Sequence, residues 1–310
     1  MDSRRVIRFG NSSYVITIPN EWMKANSVSK GDNLVCIEKN NTLIYSVPKK
    51  EDNSIIELDM DIHNLKIFNK ILISYYLKNY KYIKIKGEKI SDKFNEIKIF
   101  IEKLPSVEIY EINDEYILLK DISDIDNLDI NILIEKMMGI VRTMFEKSTT
   151  KDNYNFIMQM DSNINKLSFL GYKVINNNLM INSKFNLNRN AIYYWRIIST
   201  LEAIGDMIKR VSRYLKNSTD ENIAQIFMMI DSVGIYFNFI SKFLQKGINI
   251  DNNLDLYLDK KQSLLKELDK YKENIDKSEI NIYLVVNQLL KDIIGNIDNF
   301  ALSIIDIQYN

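Results

Sequence analysis

The side chains with the clearest capacity for chemistry are carboxylates four residues apart on long stretches of helical periodicity. Glu202/Asp206 and Asp255/Asp259 are complete pairs, while Asp161/Asn165 and Asp292/Asn296 each join one carboxylate to one amide. At that spacing both groups share one helix face, roughly 5–6 Å apart at Cβ. Like charges so placed repel mildly, and a cation between them removes the repulsion. An oxygen-only set without histidine suits a hard divalent ion. A simpler reading competes: the chain has 41 acidic residues, so several such pairs arise by chance, and Asp206 can pair with Arg210 on the surface. Met137, Met138, Met144, Met158 and Met160 read as core filler rather than ligands.

The second group is basic. Arg4, Arg5 and Arg8 crowd into the first eight residues, and Lys24 follows in a short predicted helix. Residues 1–50 hold eight basic and four acidic side chains, whereas the whole chain is neutral, with 41 of each sign. Neutrality excludes a wholly basic nucleic-acid binder but leaves a local basic face. A single cysteine, Cys36, excludes a disulfide framework, and its apolar neighbours Leu34, Val35 and Ile37 predict a buried thiol. A single histidine, His63, argues against a Ser/His/Asp triad or a histidine-rich metal site. With no catalytic constellation, the chain reads as a binding protein and not an enzyme. A hydrolase built on Glu202 and Asp206 lacks a nucleophile. No uninterrupted apolar run approaches 18 residues and no signal-peptide core follows Met1, so the expected location is cytoplasmic, without membrane insertion.

The elements that must position these groups fall into three segments: 1–50, 51–124 and 125–310. In the first, β-branched and aromatic residues flank turns at Gly10–Ser13 and Gly31–Asp32, with Asn20 as a helix cap and a hairpin across Asn40–Asn41 closed by Pro48. The second reads β-α-β-α-β-β, with Ser91 as the N-cap of its second helix and the helices on one face of a small sheet. Lys78, Lys81, Lys84, Lys86 and Lys89 form a solvated basic run there, and Asp121, Asp124, Asp126 and Asp129 mark an acidic linker. The third has no proline and predicts six helices near 129–147, 151–175, 188–216, 220–246, 251–273 and 278–307. Breaks are expected at Ser148–Thr150, Asn176–Asn178, Asn217–Thr219, Gly247 and Asn274–Lys277, with caps at Asp220, Asp251 and Ser278.

The third segment repeats internally. Glu202-Ala203-Ile204-Gly205-Asp206 returns as Asp292-Ile293-Ile294-Gly295-Asn296, and Asp161-x-x-x-Asn165 as Asp255-x-x-x-Asp259. The pattern predicts two three-helix units, each with polar pairs on its second and third helices. Gly205 and Gly295 predict close helix contact beside each pair.

From Arg5 through Gly10, Ser12-Ser13, Thr17-Ile18-Pro19, Trp22 and Gly31-Asp32, residues 4 to about 48 resemble the AbrB/SpoVT DNA-binding domain. That resemblance implies two chains interleaving hairpins into one swapped β-barrel, with arginines near the first strand on DNA. The size of the segment independently favours a dimer, because fewer than fifty residues bury too little surface alone. The helical repeat resembles the PhoU family, whose E/D-x-x-x-D motifs hold metal clusters. Archaeal members of that family carry this domain order.

Together these readings give a multidomain chain: a swapped-hairpin barrel, a small α/β connector and an all-α PhoU-like bundle. The function they imply is a homodimeric DNA-binding transcription regulator of phosphate uptake or homeostasis, with Arg4, Arg5, Arg8 and Lys24 on DNA. The alternative is a signalling adaptor that docks on a phosphate transporter or kinase through its helices. The degraded motifs lower the expectation for metal to one weakly bound divalent cation per unit, held by Asp161, Glu202 and Asp206 or by Asp255, Asp259 and Asp292.

Overall fold

The computed structural model describes residues 3–39, 42–47, 55–179, 190–216, 223–244, 253–270 and 280–309. By its contacts the chain divides into two units, Met1–Asp52 and Asn53–Asn310. The expected turn at Asn40–Asn41, Pro48, the breaks at Asn217–Thr219, Gly247 and Asn274–Lys277, and the caps at Asp220, Asp251 and Ser278 lie outside the described residues.

The first unit has two separate antiparallel hairpins. Strand β1 (Ile7–Phe9) pairs with β2 (Ser13–Val15), and β3 (Val35–Lys39) with β4 (Thr42–Ser46). Gly10 supplies the left-handed backbone of the first turn, at φ +70°. Between the hairpins lies a short helix, α1 (Asn20–Ala25); Pro19 stands at its N-cap position, so Asn20 is its first residue and not its cap. The fixed φ of proline already suits a helix start, which explains the one-residue difference. No residue of this unit whose exposure is described is buried. Cys36 is exposed, contrary to the expectation from its apolar neighbours; its hairpin has only two strands, and its cross-strand partner Tyr45 is exposed as well.

The second unit begins with the predicted β-α-β-α-β-β segment. Strands β5 (Ile55–Asp59), β6 (Tyr82–Lys86), β7 (Val107–Ile112) and β8 (Tyr116–Asp121) form one sheet in the order β5-β6-β8-β7. The β5–β6 pair is parallel, across helix α2 (Leu65–Leu77), and the others are antiparallel. Alternation in β6 turns Ile83 and Ile85 inward, onto Phe68, Leu72 and Tyr76 of α2 and Ile97 and Ile101 of α3 (Phe94–Ile101). Helix α3 starts after a turn that includes Ser91, with Lys93 and not Ser91 at the N-cap. On the opposite sheet face the basic run is occupied locally. Lys84 lies 4.0 Å from the Tyr116 ring centre, and Lys86 meets Glu57 at 2.6 Å.

The helical region follows as α4 (Ile130–Lys147), α5 (Tyr154–Leu179), α6 (Ala191–Lys216), α7 (Ile223–Ser241), α8 (Leu254–Lys270) and α9 (Ile280–Tyr309). Asp129 caps α4 through the Asn131 N–H at 2.8 Å. Helix α6 lies against both α5 and α9 in one continuous core. Met137, Met138 and Met144 sit in that core as filler, whereas Met158 is exposed.

The three asparagines at 176–178 do not break α5. Their amides have tertiary or helical partners: Asn176 donates to the Leu77 carbonyl at 3.2 Å, Asn177 to Asp126 at 2.9 Å and Asn178 to the Val174 carbonyl at 2.8 Å. Among the described helices, the span Ala224–Leu244 is long and apolar enough to cross a membrane. It carries Asp231 and Lys242, and 56% of its apolar window is buried in the bundle.

Candidate functional site

Arg4 and Arg5 precede β1, Arg8 lies within it opposite Tyr14, and Lys24 is in the last turn of α1; all four side chains are exposed. Arg8 donates to the Asn11 carbonyl at 3.3 Å, which fixes its guanidinium beside its own turn. The same hairpin exposes large apolar groups, with Phe9 at 69% and Tyr14 at 70% of full exposure. Trp22 is only half-buried within the unit.

The acidic set of the first repeat is assembled by an unusually close helix pair. Gly171 of α5 faces Ile198 of α6, and Gly205 of α6 faces Ile164 of α5. A Cβ on Gly171 would lie 2.5 Å from Ile198 Cδ1, and one on Gly205 would lie 2.7 Å from Ile164 Cδ1. Each glycine seats the other helix's isoleucine, one heptad apart on an antiparallel pair. The resulting approach brings Asp161 of α5 up to Asp206 of α6.

The group between them is an ammonium. Lys209 Nζ is 2.8 Å from Asp161 Oδ2 and 2.7 Å from Asp206 Oδ1, and Arg210 holds the second Asp206 oxygen at 2.8 Å. Burial works to raise the Asp206 carboxyl, but Lys209 and Arg210 outweigh it and hold it below its ordinary value. Glu202 has the opposite balance: burial raises it, Asp206 and Asp161 add to the rise, and Lys209 only partly offsets them.

The second repeat does not reproduce this assembly. Asp255 and Asp259 stand exposed on α8. Asp292, exposed on α9, accepts from Gln288 at 2.8 Å, and Asn296 donates to the Asp292 backbone carbonyl at 2.9 Å. Gly295 is exposed and a Cβ there would meet nothing within 4 Å, so the close contact expected beside it is absent. The periodic pattern places Gly295 on the outer face of α9, between the buried Ile294 and the half-buried Asn296.

These acids do not fit a metal cluster. Lys209 fills the space between the two nearest carboxylates of the first repeat, and those of the second stand apart in solvent. Among the described residues no three His, Cys, Asp or Glu side chains converge as a metal site.

Two lysines that hold the architecture escaped the sequence reading. Lys209 was legible as the i+3 partner of Asp206. Lys173 carries a weaker signal, a single cation among Gly171, Val174 and Ile175 on the buried face of α5. It is fully buried and contacts Asp121 at the end of β8; it also reaches the Ser123 hydroxyl at 3.2 Å and the Tyr76 ring at 4.2 Å. Asp121 in turn accepts from the Ser123 N–H at 2.8 Å and its hydroxyl at 2.6 Å. Burial pushes the Lys173 amine down, with Lys81 adding to the effect, while the Asp121 carboxylate beside it opposes the fall. The stretch beginning at Asp121 is therefore no free acidic linker, because its first member is buried and bonded to α5. The chain matches no protein-family model, no curated protein and no solved structure.

Proposed function

We propose that the chain is a homodimeric DNA-binding transcription regulator of phosphate uptake or homeostasis. In this reading residues 1–50 form an AbrB/SpoVT-like barrel only when two copies interleave their hairpins, and the helical region is a PhoU-like bundle. The observation that carries it is the missing core of the first unit. The first hairpin and its flanks expose Val6, Ile7, Phe9, Tyr14, Val15, Ile16 and Ile18, and no residue of the unit whose exposure is described is buried. Isolated hairpins are marginal in water, and a second copy supplies both the missing strands and the missing apolar cover. Pairing also doubles the arginine set, which creates one basic face for phosphates and guanine edges. The helical region then serves as a protein-facing or sensing body, with Lys209 where a PhoU-like cluster would need a metal.

Fluorescence anisotropy on duplex DNA at several salt concentrations tests the reading. Six arginines from two copies predict a slope of roughly −4 to −6 in log affinity against log salt. Replacing Arg4, Arg5 and Arg8 together by Ala should flatten that slope and weaken binding without unfolding the protein. A strictly monomeric chain in sedimentation, or unchanged affinity in the triple variant, would refute it.

A further inference from the structure

The geometry points to a binding site for a small phosphate ester of mononucleotide class in the cavity between α2, α5 and the acidic cluster of α6. The cavity has a volume of about 490 Å3, within the usual range of small-ligand sites. Three lysines from three different elements line it: Lys103 just after α3, Lys166 on α5 and Lys209 on α6. Its one carboxylate, Asp161, is already engaged by Lys209. Among the described residues Lys103 and Lys166 form no ion pair, and the Lys103 ammonium lies 5.6 Å from the Phe100 ring centre. Lys209 is held by Asp161 and Asp206, and Lys166 also borders the neighbouring cavity that Lys136 lines. Lys103 and Lys166 are therefore the two cations that suit a doubly charged phosphate.

The remaining lining defines the rest of the ligand. Ser162 and Asn165 of α5 also border the cavity, Ser162 exposed and Asn165 half-buried. A hydroxyl and an amide side chain each both donate and accept hydrogen bonds, which suits the hydroxyls of a sugar. Ile73, Met158 and Phe169 add an apolar wall against which a flat ring can lie. Anionic head, hydroxyl-bearing middle and apolar end match a nucleoside monophosphate. The walls come from both the α/β segment and the helical bundle, so occupancy would tie these two parts of the second unit together.

Isothermal titration of the full chain with AMP, adenosine, ribose 5-phosphate and inorganic phosphate tests the site directly. AMP should bind most tightly, and adenosine and inorganic phosphate at least about tenfold more weakly. Lys103→Gln and Lys166→Gln should each weaken AMP about tenfold, the scale of one charged hydrogen bond. Neither lysine is buried, so both variants should keep the wild-type circular dichroism spectrum. No AMP binding at millimolar concentration, equal binding of adenosine, or unchanged affinity in the Lys103→Gln/Lys166→Gln protein would overturn the assignment. None of these readouts involves DNA, so the proposal stands or falls separately from the regulator reading.

Discussion

The two halves of the helical region, α4–α6 and α7–α9, share a sequence pattern but differ in what they do with it. Glu202-Ala203-Ile204-Gly205-Asp206 lies at a tight helix crossing, where Gly205 admits Ile164 and the acids gather around Lys209. The matching Asp292-Ile293-Ile294-Gly295-Asn296 turns its glycine and its carboxylate to solvent. The first repeat also supplies Lys173, the buried cation that reaches Asp121 of the sheet. The second has a half-buried ion pair instead, Lys261 with Asp298 at 2.9 Å between α8 and α9. The shared sequence pattern therefore does not bring the same helix packing, since α5 and α6 lie closely together whereas α8 and α9 touch much less.

The largest expected difference between the repeats lies in their lysines. Lys173→Ala would strand the buried Asp121 carboxylate, a change that typically costs about 3–5 kcal/mol. Lys261→Ala exposes its partner to water more readily, because both side chains are about a quarter exposed, and should cost about 1 kcal/mol or less. Urea unfolding of both variants checks the contrast. Replacing the buried pair together, as Lys173→Met with Asp121→Asn, should recover much of the loss, since the introduced amide oxygen can still accept from Ser123 and no ion remains buried. Equal destabilisation by Lys173→Ala and Lys261→Ala would erase the distinction.

The glycines give a smaller effect of opposite sign in the two repeats. Gly205→Val must push the fully buried Ile164 out of its rotamer, and overpacking of this kind costs about 2–3 kcal/mol. Gly295→Ala meets no neighbour and gains the helix preference of alanine, about 1 kcal/mol. The two melting temperatures should therefore move in opposite directions. A shift of the same sign at both positions would mean that the α5–α6 approach is looser than the isoleucine seats imply.

These cases also mark what was legible in the sequence. Long stretches with apolar residues at three- and four-residue spacing located all six helices of the helical region, and runs of apolar and aromatic residues bounded by turn residues located the strands of the four-stranded sheet. Both signals are repeated many times along an element, so single exceptions do not mask them. Local polarity was a poorer guide. Asn176–Asn178 look like a loop, yet α5 continues because two of the amides bond to groups far away in the chain. Lys173 and Gly171 are single residues whose roles depend on a partner more than twenty positions away, Asp121 and Ile198, and no local pattern encodes that distance. Cys36 shows the converse. Its neighbours are apolar, but burial needs something to pack against, and on this two-stranded hairpin both Cys36 and its partner Tyr45 stay exposed.

The smallest expected effect concerns Glu202, and its sign follows from linkage. Burial, with Asp206 and Asp161 nearby, raises its carboxyl above the ordinary value. The folded protein therefore holds the Glu202 proton more tightly than the unfolded chain does. Its contribution to stability is fully present below the unfolded pKa, near 4.5, and is lost as pH rises through the raised folded value. At neutral pH the ionised side chain is a mild burden in a site that already holds two aspartates. Glu202→Gln removes that charge, so the variant should melt higher than the parent at neutral pH, by an increment worth about 1 kcal/mol or less because the group is partly solvated. The advantage should shrink as pH falls and vanish below about 4, where Glu202 is protonated in both states. Asp206 behaves oppositely: Lys209 and Arg210 lower its carboxyl, so the stability it adds is present at neutral pH and disappears as pH drops through its depressed value. The matching change Asp292→Asn, on an exposed carboxylate that bonds only a neighbouring glutamine among the described residues, should leave stability at neutral pH within about 0.5 kcal/mol of the parent. A pH-independent shift in Glu202→Gln, or an equal shift in Asp292→Asn, would show that the acids of the first repeat are not electrostatically coupled through Lys209.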